Sequence, residues 1–290
     1  MFKKLIATTI MAASLTGFAC TIEGTEGIVP ENDLWLSPDA KGINSMDEAT
    51  FNAVIDKVVK VYEPVIAGLG ANLVVARNWS DGTVNAYASR SGNTWNVAMF
   101  GGLARHNTIT EDGFALVVCH EVGHHIGGAP KKSSWQGTRW ATNEGQADYF
   151  ATLKCLRKSF RGEDNIAKMA KVNVPAEVTK TCAAQFTTAE EQAICQRGAM
   201  AGLSTAKLFQ DLRSQTTAPE FGTPDAAVVS RTDHNHPATQ CRLDTYFSGA
   251  ICNIDDMQDV DQQDEAQAVC YRDAGDTTGV RPLCWFAPKK

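Results

Sequence analysis

The stretch Cys119-His120-Glu121-Val122-Gly123-His124-His125-Ile126-Gly127-Gly128 constrains this chain more than any other. Thr108 or Thr110 can cap a helix here, and Glu111 and Asp112 fall in its first turn, where the helix dipole favours negative charge. Gly127 and Gly128 are the expected stop. Between them Phe114, Leu116, Val117, Val118, Cys119, Val122 and Ile126 point in nearly every direction around the axis, which predicts a buried helix. Two imidazoles and a carboxylate are costly there unless they are paired or hold a metal. His120 and His124 are four residues apart, so both rings leave one face a turn apart, the geometry of two imidazole ligands on one zinc ion. Glu121 lies about a quarter-turn round. It is badly placed as a ligand and well placed to hold a water at the metal.

A catalytic zinc site needs three protein ligands and one open position. The expected third ligand is Glu144, on a second helix, Asn143 to Phe150, that Thr142 can cap. Asp148 shares the face of Glu144 and can accept a hydrogen bond from the far nitrogen of a ligand histidine. Five of the six histidines fall in two clusters, this one and His234-Asn235-His236-Pro237, where Pro237 suits the first position of a helix and puts His236 at its entrance.

The flanking chain predicts an α+β, mainly helical fold with a small antiparallel or mixed sheet beside the His120 helix. Phe51, Val54, Ile55, Val58, Tyr62, Val65 and Ile66 recur at helical spacing behind a possible Ser45 cap. Strands are expected at Asn72–Asn78, Thr83–Ser89 and Trp95–Phe100, with turns at Asp81-Gly82 and Ser91-Gly92-Asn93. A free edge on the strand before the zinc helix could pair with an extended peptide and lay it across the metal; an ordinary structural strand is the plainer expectation. Residues 129–141, with Lys131, Lys132, Trp135 and Trp140, read as a polar rim or lid. Residues 164–213 read as scaffold helices, with a capping box at Thr188 and Glu191. The acidic run from Asp255 to Glu265 lacks the register of a calcium loop and reads as a solvated face.

Residues 1–19 are an export signal, with Lys3 and Lys4 before an apolar run from Leu5 to Phe18 and a small-x-small site at Gly17 and Ala19. Cys20 follows at once, so the exported protein is a periplasmic or outer-membrane lipoprotein lipidated on Cys20, or is secreted. Membrane attachment is expected only through that lipid. Of nine cysteines, eight remain without Cys20, an even number suited to disulfides in an oxidising compartment. Proximity favours Cys241–Cys252 and Cys270–Cys284, with Cys119 left as a buried thiol. Residues 20–44 read as a tether, 45–250 as a zincin-like metallopeptidase domain, and 251–290 as a cysteine-containing extension that caps the helices. The net charge of −6 gives no general attraction to nucleic acid.

The ordered motifs resemble one family. Val84-Asn85-Ala86-Tyr87-Ala88, Gly101-Gly102-Leu103, His120-Glu121-x-x-His124, Glu144-x-x-Ala147-Asp148, His236-Pro237 and Arg242 are similar to the zinc metallopeptidases that include the CAAX prenyl endopeptidase and HtpX, within the gluzincin group. The resemblance implies that His120, His124 and Glu144 bind one zinc ion and that Glu121 activates water. It also implies that His236 steadies the oxyanion and Arg242 organises the site. The best-known members span membranes; this chain has no such spans and looks like the soluble exported members. A metzincin is excluded, because its third histidine would fall at Pro130. The expected function is a zinc-dependent endopeptidase acting on protein or peptide substrates in the cell envelope or outside the cell. The alternatives are a catalytically inactive zincin-fold binding or assembly module and a metal hydrolase of non-peptide bonds.

Overall fold

The structure, a computed structural model, describes residues 26–39, 46–134 and 137–288. The expected signal peptide, Cys20, the Ser45 cap and Trp135 lie outside the described residues. A two-residue strand β1 (Glu26–Gly27) precedes α1 (Glu48–Gly68), β2 (Asn72–Asn78), β3 (Ala86–Ser91), β4 (Thr94–Phe100), the short α2 (Gly101–Arg105) and α3 (Glu111–Ile126). A hairpin of β5 (Lys131–Ser134) and β6 (Gly137–Thr142) leads into α4 (Glu144–Phe150), which continues through a π turn (Ala151–Cys155) into α5 (Leu156–Phe160). Then come α6 (Asn165–Met169), α7 (Ala176–Gln185), α8 (Ala189–Leu212) and α9 (Thr239–Ile251). The fold is mixed α+β and about 46% helical.

Local chemistry explains the ends of these elements. Thr110, not Thr108, caps α3 by accepting from the Gly113 amide at 3.0 Å. Asp47 caps α1, accepting from the Thr50 amide at 2.7 Å. At α8 the two residues of the expected capping box meet: Thr188 accepts from the Glu191 amide at 3.2 Å and donates its hydroxyl to the Glu191 carboxylate at 2.8 Å. At α4 the expected cap is displaced by one residue. Asn143 accepts from the Gln146 amide at 2.9 Å, while Thr142 ends β6. Pro237 stands just before the Ala238 cap of α9, so His236 is at the helix entrance as expected.

Every residue of α3 from Gly113 to Ile126 is buried, as its all-round apolar pattern requires. It packs against α1, α4 and α8. Helix α1 turns Phe51, Val54, Ile55, Val58, Tyr62 and Ile66 inward, each worth roughly 1.5–3 kcal/mol of burial before ordering entropy is charged.

The main sheet runs β1-β3-β4-β2, with β2 and β4 parallel and the other pairs antiparallel. The strand before α3 therefore has no free edge: β4 is paired on both sides. The outer strands are β2 and the short β1, whose Glu26 and Gly27 cover β3 opposite Ala88 and Tyr87. This corrects the expected tether, since Ile28 and Val29 are also buried.

The cysteine expectations are corrected too. The pairs are Cys119–Cys155, Cys182–Cys195, Cys241–Cys284 and Cys252–Cys270. Cys119 is thus bonded, tying α3 to the π turn after α4. The expected boundary at 250/251 is crossed by the Cys241–Cys284 bond and by Trp285, which is fully buried and donates to Thr245 Oγ1 at 2.9 Å. The C-terminal residues are part of the core behind α4, because a Cβ on Gly145 would overlap the Trp285 ring. Nor is the acidic run wholly solvated. Asp256 is buried and held by Arg157 and Arg161. Among the described residues no helix is long and apolar enough to cross a membrane.

Candidate metal centre

Helices α3 and α4 bring the expected residues together. His120 Nε2 lies 3.3 Å from Glu144 Oε2, and His124 Nε2 lies 3.6 Å from Glu144 Oε1. Donor atoms about 2.0–2.1 Å from a tetrahedral zinc stand about 3.3 Å apart, so the spacing fits that ion. The three residues form a buried group whose donor atoms are all within 4.8 Å of one another. A second group, Asp225, Cys241 and Cys284, offers no thiolates because the two cysteines are joined in a disulfide.

The remaining ring nitrogens explain the orientation. His120 Nδ1 is 2.7 Å from Asp148 Oδ1, and His124 Nδ1 is 2.9 Å from the Thr142 carbonyl. Both acceptors require hydrogen on Nδ1, so each Nε2 is the atom turned to the centre, and it offers a lone pair to a metal when its ring is neutral. Both Nε2 atoms, Glu144 Oε2 and both oxygens of Glu121 are buried without a hydrogen-bond partner. Buried polar atoms are normally satisfied. Two imidazoles and a carboxylate left so are the donor set that a zinc ion takes.

Asp148 is itself held on three sides. The Arg242 guanidinium donates to both its oxygens at 2.7 Å, and the Tyr246 hydroxyl donates at 2.7 Å. Arg242 also lies over the Phe209 ring and donates to the Ile28 carbonyl at 2.6 Å. His236 Nε2 is 3.4 Å from Glu144 Oε2 and 2.8 Å from the Gly27 carbonyl oxygen. All seven expected site residues therefore converge. His234 is not among them; its Nε2 lies 3.0 Å from Ser133 Oγ.

Electrostatics follows from burial and pairing. Burial pushes the Glu121 carboxyl up to about 8 and takes the His124 imidazole down to about 3. Burial also acts to lower His120, but Asp148 and Glu144 outweigh it and hold that ring at about 9. Burial would raise Glu144; the neighbouring His124, Lys132 and His236 hold it well below the usual carboxylate range.

Several contributors were not foreseen. Lys132, expected only as part of a rim, points inward from β5 and places its Nζ 2.8 Å from Glu144 Oε1. The alternation of a short strand was the available signal, since it sends Lys131 and Ser133 to the opposite face. Trp140 stacks on His125, which stacks in turn on Trp95, and this anchors the hairpin to the sheet. Tyr246 and the Thr142 carbonyl have no signal in the sequence. No family model, curated protein or solved structure matches this chain.

Proposed function

We propose that the chain is a zinc-dependent endopeptidase of the gluzincin kind, with a zincin-like domain built on α3 and α4. One observation carries the reading. His120, His124 and Glu144 turn three partnerless donor atoms to one point, with the unpaired carboxylate of Glu121 next to His120 in the chain. These three residues would hold one zinc ion. Zinc, when bound, supplies Lewis acidity and lowers the pKa of a bound water to about 7.

The chain's own groups do the rest. Asp148 fixes the tautomer of His120, and Arg242 and Tyr246 fix Asp148. Glu121, with no partner to compete, takes a proton from water and passes it to the leaving nitrogen. A carbonyl only accepts, so the contact to Gly27 means that His236 presents Nε2–H. A donor placed on a developing oxyanion is worth about 3–4 kcal/mol. Residues 1–19 act as the export signal, and Cys20 carries lipid or the protein is secreted; four disulfides support an oxidising destination.

The competing reading, an inactive binding module, draws on the burial of the whole centre, where His120, Glu121 and Glu144 are fully covered. A peptide-library assay separates the two. Hydrolysis that a chelator stops, and that Glu121→Gln abolishes while keeping one zinc per chain, supports the enzyme. Retained turnover in Glu121→Gln would remove Glu121 as the base, and unchanged zinc stoichiometry in Glu144→Ala would remove Glu144 as a ligand.

A further inference from the structure

The chain leaves β1 at Gly27 and bends through Ile28 and Val29 against His236 and Arg242, and every backbone polar group from the Gly27 carbonyl to the Val29 carbonyl is held. The Gly27 oxygen accepts from His236 Nε2 at 2.8 Å. The Ile28 amide donates to the Ala86 carbonyl on β3 at 3.1 Å, and the Ile28 carbonyl accepts from Arg242 at 2.6 Å. The Val29 amide donates to Asn85 Oδ1 at 3.3 Å, and its carbonyl accepts from Asn85 Nδ2 at 3.1 Å. Edge pairing of this sort is how a sheet takes up an extended peptide. Two of the groups that hold it, His236 and Arg242, are those that the proposed reaction needs. The Ile28 side chain is fully buried, as a residue seated in a pocket would be.

Gly27 is also sterically particular. A Cβ there would overlap the Asn85 side chain. Asn85 is buried and cannot easily give way, because it is fixed by Val29, by the Ala86 amide and by the Tyr87 hydroxyl. The position whose carbonyl meets His236 therefore accepts glycine.

Resting on the endopeptidase reading, we infer that the chain is its own first substrate, and that it hydrolyses the Gly27–Ile28 peptide bond within the same molecule. Water adds its oxygen to the Gly27 carbonyl carbon, the bond from that carbon to the Ile28 nitrogen breaks, and Glu121 carries the water's proton to that nitrogen. The products are a carboxylate on Gly27 and an amine on Ile28. Cleavage separates everything before Ile28, Cys20 included, from the folded body. It also frees the edge of β3 opposite Tyr87 and Ala88 for another peptide, with Asn85 selecting glycine before the cut bond.

The full chain, exported and purified with its zinc content measured, tests this by intact mass and N-terminal sequencing. Wild-type protein is expected to begin at Ile28, at a rate unchanged over a hundredfold range of protein concentration. Glu121→Gln is expected to retain residues through Gly27 with the same zinc content. A second readout needs no turnover. In metal-free Glu121→Gln protein the Ile28 amide is expected to exchange hydrogen slowly, and adding Gly27→Leu should speed that exchange at least tenfold. Zinc-loaded wild type that cuts added peptides yet stays intact at 27–28, or begins elsewhere, overturns self-cleavage and leaves the endopeptidase reading standing. Unprotected Ile28 in Glu121→Gln also overturns it. Absence of bound zinc and of all peptide hydrolysis would instead remove the reading beneath it.

Discussion

Replacing Asp148 with asparagine isolates the tie between the buried charge network and the metal ligands. Asp148 and Arg242 are both fully buried, and Asp148 neutralises Arg242 through two contacts of 2.7 Å. The substituted amide would keep the shape and lose the charge, leaving the guanidinium unpaired in the core. Breaking a buried pair from one side costs about 3–5 kcal/mol. At about 2–4 °C per kcal/mol for a domain of this size, the melting temperature of the metal-free protein should fall by roughly 6–20 °C. The same change weakens the hold on His120, since the amide oxygen that would take the Oδ1 position, facing His120 Nδ1, Arg242 and Tyr246, is a neutral and weaker acceptor than the carboxylate. Weakening such a partner lowers metal affinity, by up to about 10–100-fold where the partner is lost. Urea denaturation of metal-free protein gives the first number, and competition with a chromogenic chelator gives the second. Tyr246→Phe is the control. It removes one hydrogen bond to the Asp148 carboxylate without altering charge and should cost about 1.5–3 kcal/mol, less than Asp148→Asn. A stability loss below about 1 kcal/mol in Asp148→Asn would refute the argument from the buried pair. A large loss with unchanged zinc affinity would refute the orientation of His120.

Lys132→Met should destabilise metal-free protein more than zinc-loaded protein, because Lys132 is a cation that faces Glu144 when no metal does; by linkage its zinc affinity should rise, as chelator competition would show. Gly145→Ala sets a methyl against Trp285 at the start of α4 and should cost about 1–3 kcal/mol, read by thermal melting, with a parallel loss of zinc affinity from a displaced Glu144. Removing the Cys119–Cys155 bond by double substitution to alanine opens a separation of 36 residues and should cost about 4 kcal/mol in urea denaturation. Glu163 offers a pH test. Burial acts to raise its pKa, but hydrogen bonds from Lys57, Arg197 and Lys168 hold it at about 2 against an ordinary value of 4.5. Its folded value is the lower one, so its contribution is present above about pH 4.5 and is lost as pH falls toward about 2; Glu163→Gln should flatten that part of the stability profile.

Two kinds of information separate in this chain. Spacing within a helix is rigid, at 3.6 residues per turn, so His120 with His124 and Glu144 with Asp148 could be assigned to shared faces before any fold was known. Caps and turn residues act over three or four positions, which is why the element order was readable and why the departures at Thr142 and Pro237 are shifts of one or two residues. The disulfides show the limit. Cys241 pairs with Cys284 rather than with the nearer Cys252, because the C-terminal residues return to pack on α9 and α4.

The amino-acid order alone settled which side chains sit on which turn of which helix, and hence the two halves of the candidate centre. Packing decided how the halves meet and what encloses them: Arg242 on Asp148 across 94 positions, Lys132 on Glu144, and Gly27 on His236 across 209. Within a turn or two the backbone leaves few arrangements to choose among. Across a hundred residues the partner is set by the burial of whole faces and the satisfaction of every polar group they carry, which no local pattern records.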